Sequence, residues 1–139
     1  MGTRSTIAIE FADASVSQVY CHWDGYLEHN GELLKTCYMD PFKVRELIDL
    51  GDFSSLRETV EETKEGSYHF SRGEDFTCRR YQNADEYFAE CQQEEYDYIL
   101  RNVEGKATWF VRCYATDGAW VELHEAVGLI ERMNEERVY

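Results

Sequence analysis

The chain has 139 residues, of which 28 are acidic and 14 are basic, so its formal net charge at pH 7 is −14. A negative field of this size disfavours direct contact with nucleic acid or an anionic membrane surface and favours basic partners. With 43% hydrophobic residues, wholesale disorder is not expected, and the length predicts one domain over residues 1–139. No apolar run approaches the roughly 20 residues of a membrane-spanning helix, so no membrane association is predicted.

The first part of the chain predicts a hairpin followed by two helices. Apolar residues alternate with polar or small ones in two segments that a short turn joins, which is typical of antiparallel strands. Asp40 as N-cap and Pro41 as first helical residue mark the start of the second helix, and Gly51 marks its end. The predicted elements are strands 6–11 and 16–22 and helices 32–39 and 41–50.

Residues 52–81 show the weakest periodicity of apolar residues, and this part of the predicted domain is expected to be rich in loops. The charged segment 58–66 is either a solvated helix or a mobile loop. A turn is predicted at 70–76 and a short edge strand at 76–81.

The last part of the chain predicts a helix, a three-stranded meander and a final helix. Asn83 with Glu86 three residues later is a capping-box-like start, and Asp117-Gly118 is a strong hairpin turn. Strands are predicted at 96–102, 107–116 and 119–123, and the last helix at 124–134. The predicted fold is α+β: an antiparallel sheet of about five strands with three to four helices packed on it.

The segment 19–31 concentrates polar and aromatic side chains between two predicted tight bends, Asp24-Gly25 and Asn30-Gly31. It supplies the first candidate ligand site: His22, Trp23, Asp24 and Tyr26. Cys21, His22, Asp24 and His29 are metal ligands by type. However, the adjacent Cys21 and His22 point to opposite faces of a strand, so no metal and no cofactor is predicted.

A Cys/His-dependent hydrolase is the least favoured alternative. Nucleophilic catalysis needs a thiol and an imidazole in hydrogen-bond reach, and nothing in the sequence places such a pair together. No catalytic residue is predicted. The five cysteines lack Cys-x-x-Cys spacing, which favours reduced thiols and the cytoplasm. The thiols and imidazoles that could meet in space to form such a pair belong to Cys21, Cys78, Cys113, His22, His29, His69 and His124.

The arginines offer a second candidate ligand site. Arg101 and Arg112 lie in neighbouring predicted strands, and with Arg79 and Arg80 they could form a local basic pocket for a small nucleotide. Solvated arginines that pair with carboxylates are the simpler interpretation. A basic pocket of this kind would make the protein a module that binds a small nucleotide signal.

Acidic residues are densest in two segments with helical spacing. Carboxylates on rigid elements can imitate the phosphates of a duplex and occupy a basic nucleic-acid-binding cleft, although most acidic helix faces are only solvated. The candidate partner-binding residues are Glu58, Glu61, Glu62, Glu65, Asp85, Glu86, Glu90 and Glu94.

The N-terminal half resembles a family of small proteins carried by bacteriophages and prophages. The resemblance rests on MGTRSTIAIE at 1–10, QVYCHWDGYLEHNG at 18–31 and the segments 43–52 and 54–56. It covers about the first 56 residues, and the family has no agreed activity, so no functional residue is carried over. The resemblance implies a viral protein in the cytoplasm of a bacterial host.

These observations together predict a non-enzymatic phage inhibitor of a host defence protein, of the anti-CRISPR or anti-restriction type. Its acidic, tyrosine-rich surface would bind the basic nucleic-acid-binding surface of that protein, without contacting nucleic acid directly. Exposed tyrosines and an edge strand also favour self-association, for which a homodimer is the simplest assembly.

Overall fold

A computed structural model describes residues 3–66 and 78–136. The α+β class is confirmed: the described residues form one sheet of six strands and five α-helices. Some predicted features lie outside the described residues: the turn at 70–76, the first residues of the strand at 76–81, and His69.

The sheet is mixed, so the prediction that it is antiparallel throughout was wrong, and it has six strands in the described residues where about five were predicted. The strands are β1 Ser5–Glu10, β2 Val16–Cys21, β3 Arg79–Tyr81, β4 Tyr96–Val103, β5 Lys106–Arg112 and β6 Val121–Glu122. They lie in the order β3-β2-β1-β4-β5-β6, and the central pair, β1 and β4, is parallel. Turn residues specify which neighbours form a hairpin, but they do not specify which strand of one hairpin joins the next unit.

The described residues include five α-helices, and two of them begin at the caps that the sequence predicts. Asp40 accepts a hydrogen bond from the Phe42 amide at 3.0 Å, and Asn83 accepts one from the Glu86 amide at 2.9 Å. Three to four helices are predicted, and of the two alternatives for the charged segment 58–66, a solvated helix or a mobile loop, the structure shows a helix. The helices are α1 Glu32–Cys37, α2 Pro41–Asp49, α3 Val60–Glu65, α4 Ala84–Glu90 and α5 Leu123–Glu136.

Two local predictions need correction. The first predicted bend is present, since Asp24 takes the left-handed conformation with φ of 57°. The second is absent: Asn30-Gly31 closes a π-helical turn, Leu27–Gly31, that continues into α1. The strand predicted at 107–116 ends at Arg112, and a 3-10 turn, Tyr114–Thr116, follows it. Positive φ at both residues confirms a turn at Asp117-Gly118, but it lies within the longer link 113–120 between β5 and β6 and does not join the two strands directly.

The two faces of the sheet carry separate clusters of buried side chains. One face contributes residues such as Ile7, Val19 and Tyr98, which pack with apolar side chains of α1, α2 and α5, while Val60 of α3 lies against the same cluster. The other face contributes Ala8, Val16 and Ile99 to a smaller cluster with Tyr87 and Cys91. Since side chains alternate along a strand, α3 and α4 lie on opposite faces of the sheet.

Candidate functional site

Three arginines of the sheet are paired with carboxylates, while Arg80 on β3 is exposed and makes no ion pair with a described residue, and the four do not gather into a basic pocket. Arg112 Nη2 lies 2.6 Å from Asp97 Oδ2, and Arg79 Nη2 lies 2.6 Å from Asp52 Oδ1. Arg101 donates through Nε and Nη2 to the two carboxylate oxygens of Glu10, at 3.2 and 3.3 Å. The geometry therefore corrects the candidate nucleotide pocket, since these guanidinium charges are already neutralised.

Asp97 lies at the centre of a buried polar network. Its side chain is fully buried and accepts hydrogen bonds from Thr6 Oγ1 at 2.6 Å and from the Glu94 amide at 3.1 Å, in addition to the Arg112 bond. Burial raises the pKa of the Asp97 carboxyl, and the bonds from Thr6 and Arg112 oppose that shift. The pair holds β4 to β5 and belongs to the framework of the fold.

The cluster after β2 consists of side chains that contact one another. His22 Nδ1 and the Tyr20 hydroxyl are 2.8 Å apart, and the Trp23 ring stands edge-on to His22. Tyr26 is half-buried and its ring lies 6.1 Å from that of His29. The four candidate residues thus follow one another along a loop, with Asp24 in the left-handed bend, and the contacts present there stabilise the loop.

The thiol of Cys21 is not disposed for metal binding or nucleophilic attack. It is buried in the core, where Asn30 Nδ2 donates to its Sγ at 3.4 Å, and burial raises its pKa to about 11. His29 instead contacts the Asn30 side-chain oxygen at 2.9 Å through Nδ1. Within residues 3–66 and 78–136, no cysteine hydrogen-bonds a histidine, so the geometry lends no support to the hydrolase reading.

The charged segment at 58–66 contains a well-anchored helix, α3. Thr59 caps it by accepting from the Glu62 amide at 3.1 Å. Buried Thr63 accepts from the Arg57 amide at 2.9 Å and donates to the Thr59 carbonyl at 2.9 Å. The Tyr38 hydroxyl donates to the Arg57 carbonyl at 2.6 Å, which fixes the entry to the helix.

The eight candidate acidic residues fall into two groups on opposite sides of the sheet. Around α3, Glu58, Glu61 and Glu65 are exposed, while Glu62 also accepts a bond from the Thr59 hydroxyl at 3.0 Å. Around α4, two of the acids serve the local backbone and a neighbouring side chain: Glu86 accepts from the Gln82 amide at 2.7 Å and Glu94 accepts from Gln92 Nε2 at 3.0 Å. The remaining two, Asp85 and Glu90, are exposed on α4.

Sequence reasoning missed a cavity of about 460 Å³ at the carboxyl ends of the parallel strands β1 and β4. Three separate stretches line it, at 9–12, 41–45 and 100–107, so no local motif could reveal it. Phe42, which lines the cavity beside Pro41, is 76% exposed, and this exposure is visible only in the structure.

A further cluster lies at the start of α5. The side-chain ligand atoms of Glu122, His124 and Glu125 are within 4.8 Å of one another, and two of these residues are exposed. Close carboxylates are expected in a chain with 28 acidic residues, so this proximity alone assigns no metal.

Comparisons with protein-family models, with curated proteins and with solved structures give no match. In the part of the chain that the structure describes, none of the helices combines the length and apolar content needed to cross a bilayer.

Proposed function

We propose that this protein is a non-enzymatic phage inhibitor of a host defence protein, and that the exposed carboxylates around α3 bind the basic nucleic-acid-binding surface of that protein. The acidic face, defined here as Glu58, Glu61 and Glu65, carries the proposal. The resemblance of residues 1–56 to phage-encoded proteins supports the viral setting and the host cytoplasm.

The charge of the acidic face is not neutralised within the described residues. None of its three carboxylates takes part in an ion pair with a described residue. Such a surface attracts a cationic partner and repels nucleic acid. Complementarity of this kind speeds association and gives a strong dependence on salt.

The spacing and rigidity of the acidic face suit mimicry of a nucleic-acid backbone. Glu61 and Glu65 are one helical turn apart, about 6 Å along the axis. Successive phosphates of one DNA strand rise by about 3.4 Å, so the two carboxylates span about two phosphate steps. The bonds that Thr59 and Thr63 make hold the helix in place, so little ordering entropy is lost when a partner binds.

The test is a competition assay with purified CRISPR effector complexes and restriction enzymes. Fluorescence anisotropy of labelled DNA reports whether the protein displaces DNA from each of them. The triple variant E58K/E61K/E65K should lose inhibition by at least about tenfold, since each rim charge contributes a few tenths to 1 kcal/mol and reversal adds repulsion.

The matched control is D85K/E90K/E95K, which changes the net charge equally but lies on and just after α4, on the other face of the sheet. It should retain most of the inhibition. Equal loss in both variants would show that only the overall charge matters, and unchanged inhibition by the α3 variant would remove the acidic face from the mechanism. If no tested protein releases DNA at low salt, the anti-defence function is wrong for those classes.

A further inference from the structure

The cavity at the carboxyl ends of β1 and β4 has the size and lining of a small-molecule site. Its volume of about 460 Å³ falls within the range of roughly 300–1,000 Å³ that is usual for ligand pockets. Apolar side chains of the sheet, including Ile9, Leu100 and Ala107, form part of the wall, and Phe11 and Phe42 contribute aromatic rings. A crevice at this end of parallel strands is where α/β sheets usually bind ligands.

Among the described residues that line this cavity, Arg45 is a cation without a carboxylate partner. Arg45 is exposed, its guanidinium lies 5.8 Å from the centre of the Phe11 ring, and it makes no ion pair with any described residue. Arg101 also lines the cavity, but Glu10 holds it in a two-point ion pair. The first backbone N–H of α2, that of Phe42, already donates to Asp40 and is not available to a ligand. The positive charge that the cavity offers a ligand is therefore that of Arg45.

The exposed Phe42 ring is the other unexplained feature of the cavity. At 76% exposure it is the most exposed of the large hydrophobic side chains in the described residues, and it stands at the mouth beside Pro41. A ring held on a helix can stack against a planar ligand without much loss of its own conformational freedom. Aromatic stacking on a nucleobase contributes about 1–3 kcal/mol.

We propose that this cavity binds a nucleoside monophosphate, with the base against Phe42 and the apolar wall and the phosphate on Arg45. A ligand with both parts is favoured because the site offers an aromatic surface and one cation, separated by about one helical turn of α2. The guanidinium can donate two parallel hydrogen bonds to a phosphate. This site is distinct from the acidic face and does not depend on the proposed anti-defence function.

The probe is AMP, titrated into the full-length protein labelled with ¹⁵N and followed by NMR. Amides of Phe42, Arg45 and Gly105 should shift together and saturate with a Kd below about 1 mM, whereas adenosine and inorganic phosphate should bind at least about tenfold more weakly. R45Q should weaken AMP binding about tenfold or more, as expected for a charged hydrogen bond. F42A should also weaken it about tenfold.

Matched controls separate the cavity from general effects of charge and ring removal. R80Q removes an exposed arginine on edge strand β3, and Y114A removes an exposed ring after β5; both should bind AMP as the unchanged protein does. E58K/E61K/E65K should also bind AMP, even if it loses inhibition.

Three outcomes would overturn the proposal. They are no shift at about 10 mM AMP, equal binding of adenosine and AMP, or equal weakening by R45Q and R80Q. A response to phosphate alone that matches the AMP response would reduce the site to adventitious anion binding.

Discussion

The Asp97–Arg112 pair gives the sharpest test of the structure. The substitution R112M removes the cation but keeps most of the side-chain volume, and it leaves a fully buried carboxylate with only Thr6 and the Glu94 amide as partners. Removing one member of a buried ion pair costs about 3–5 kcal/mol in unfolding free energy. For a chain of this length, that corresponds to a fall in Tm of roughly 10–20 °C.

The pH dependence of this loss carries a defined sign. The pKa of Asp97 in the folded protein is already raised by burial above its usual value of 3.8, and losing Arg112 raises it further. A raised folded pKa means that the native state holds a proton which the unfolded state has released. Stability of R112M therefore falls as pH rises through that interval, and its deficit should be larger at pH 7 than at pH 5.

Urea denaturation followed by far-UV circular dichroism measures the free energy of unfolding at both pH values. Circular dichroism is preferred to fluorescence because Trp120 lies 5.1 Å from the Arg112 guanidinium. The control R80M should change stability by less than about 0.5 kcal/mol, and the double variant D97N/R112M should recover part of the loss. A loss below about 1 kcal/mol, or the same loss at pH 5 and pH 7, would refute a buried charged pair here.

Three further predictions concern the framework around the candidate sites. Gly25→Ala should destabilise the protein by about 1–3 kcal/mol in urea denaturation, because the added Cβ would lie 2.6 Å from the Ser5 Cβ. Thr63→Val should cost about 1–3 kcal/mol by the same assay, because it breaks the bonds to the Arg57 amide and the Thr59 carbonyl, and it should weaken inhibition by loosening α3. Cys21 should resist iodoacetamide at pH 8 in the native protein and react after unfolding, as mass spectrometry would show, since burial raises its pKa to about 11.

Much of the local structure was predictable from the sequence. The caps at Asp40 and Asn83 were predictable because each side chain bonds an amide two or three residues further along the chain. The turn at Asp117-Gly118 was predictable because it depends on the conformation of those two residues themselves. The N-terminal hairpin and the C-terminal meander follow from alternation and turn chemistry for the same reason. Prediction failed at Asn30-Gly31, where packing of Leu27 and the adjoining helix overrides a turn-forming dipeptide.

The candidate sites were less accessible to sequence reasoning. The acidic residues were visible in the sequence from their density and helical spacing. Their division between the two faces of the sheet was not visible, because that division depends on which core cluster each helix covers. The arginine pocket was wrong because Arg101 and Arg112 meet carboxylates 91 and 15 residues away in the chain. The cavity at the carboxyl ends of β1 and β4 gave no local signal, because its lining comes from three separate stretches of the chain.

The sequence by itself determined the charge, the α+β class and the ends of most helices, since these depend on composition and on neighbours along the chain. Only the tertiary structure decided the parallel junction of β1 with β4, the carboxylate partners of Arg79, Arg101 and Arg112, and the assembly of the cavity. These features arise from contacts between distant segments. The local rules of alternation, capping and turn chemistry act over a few neighbouring residues, so they do not specify which distant segments meet.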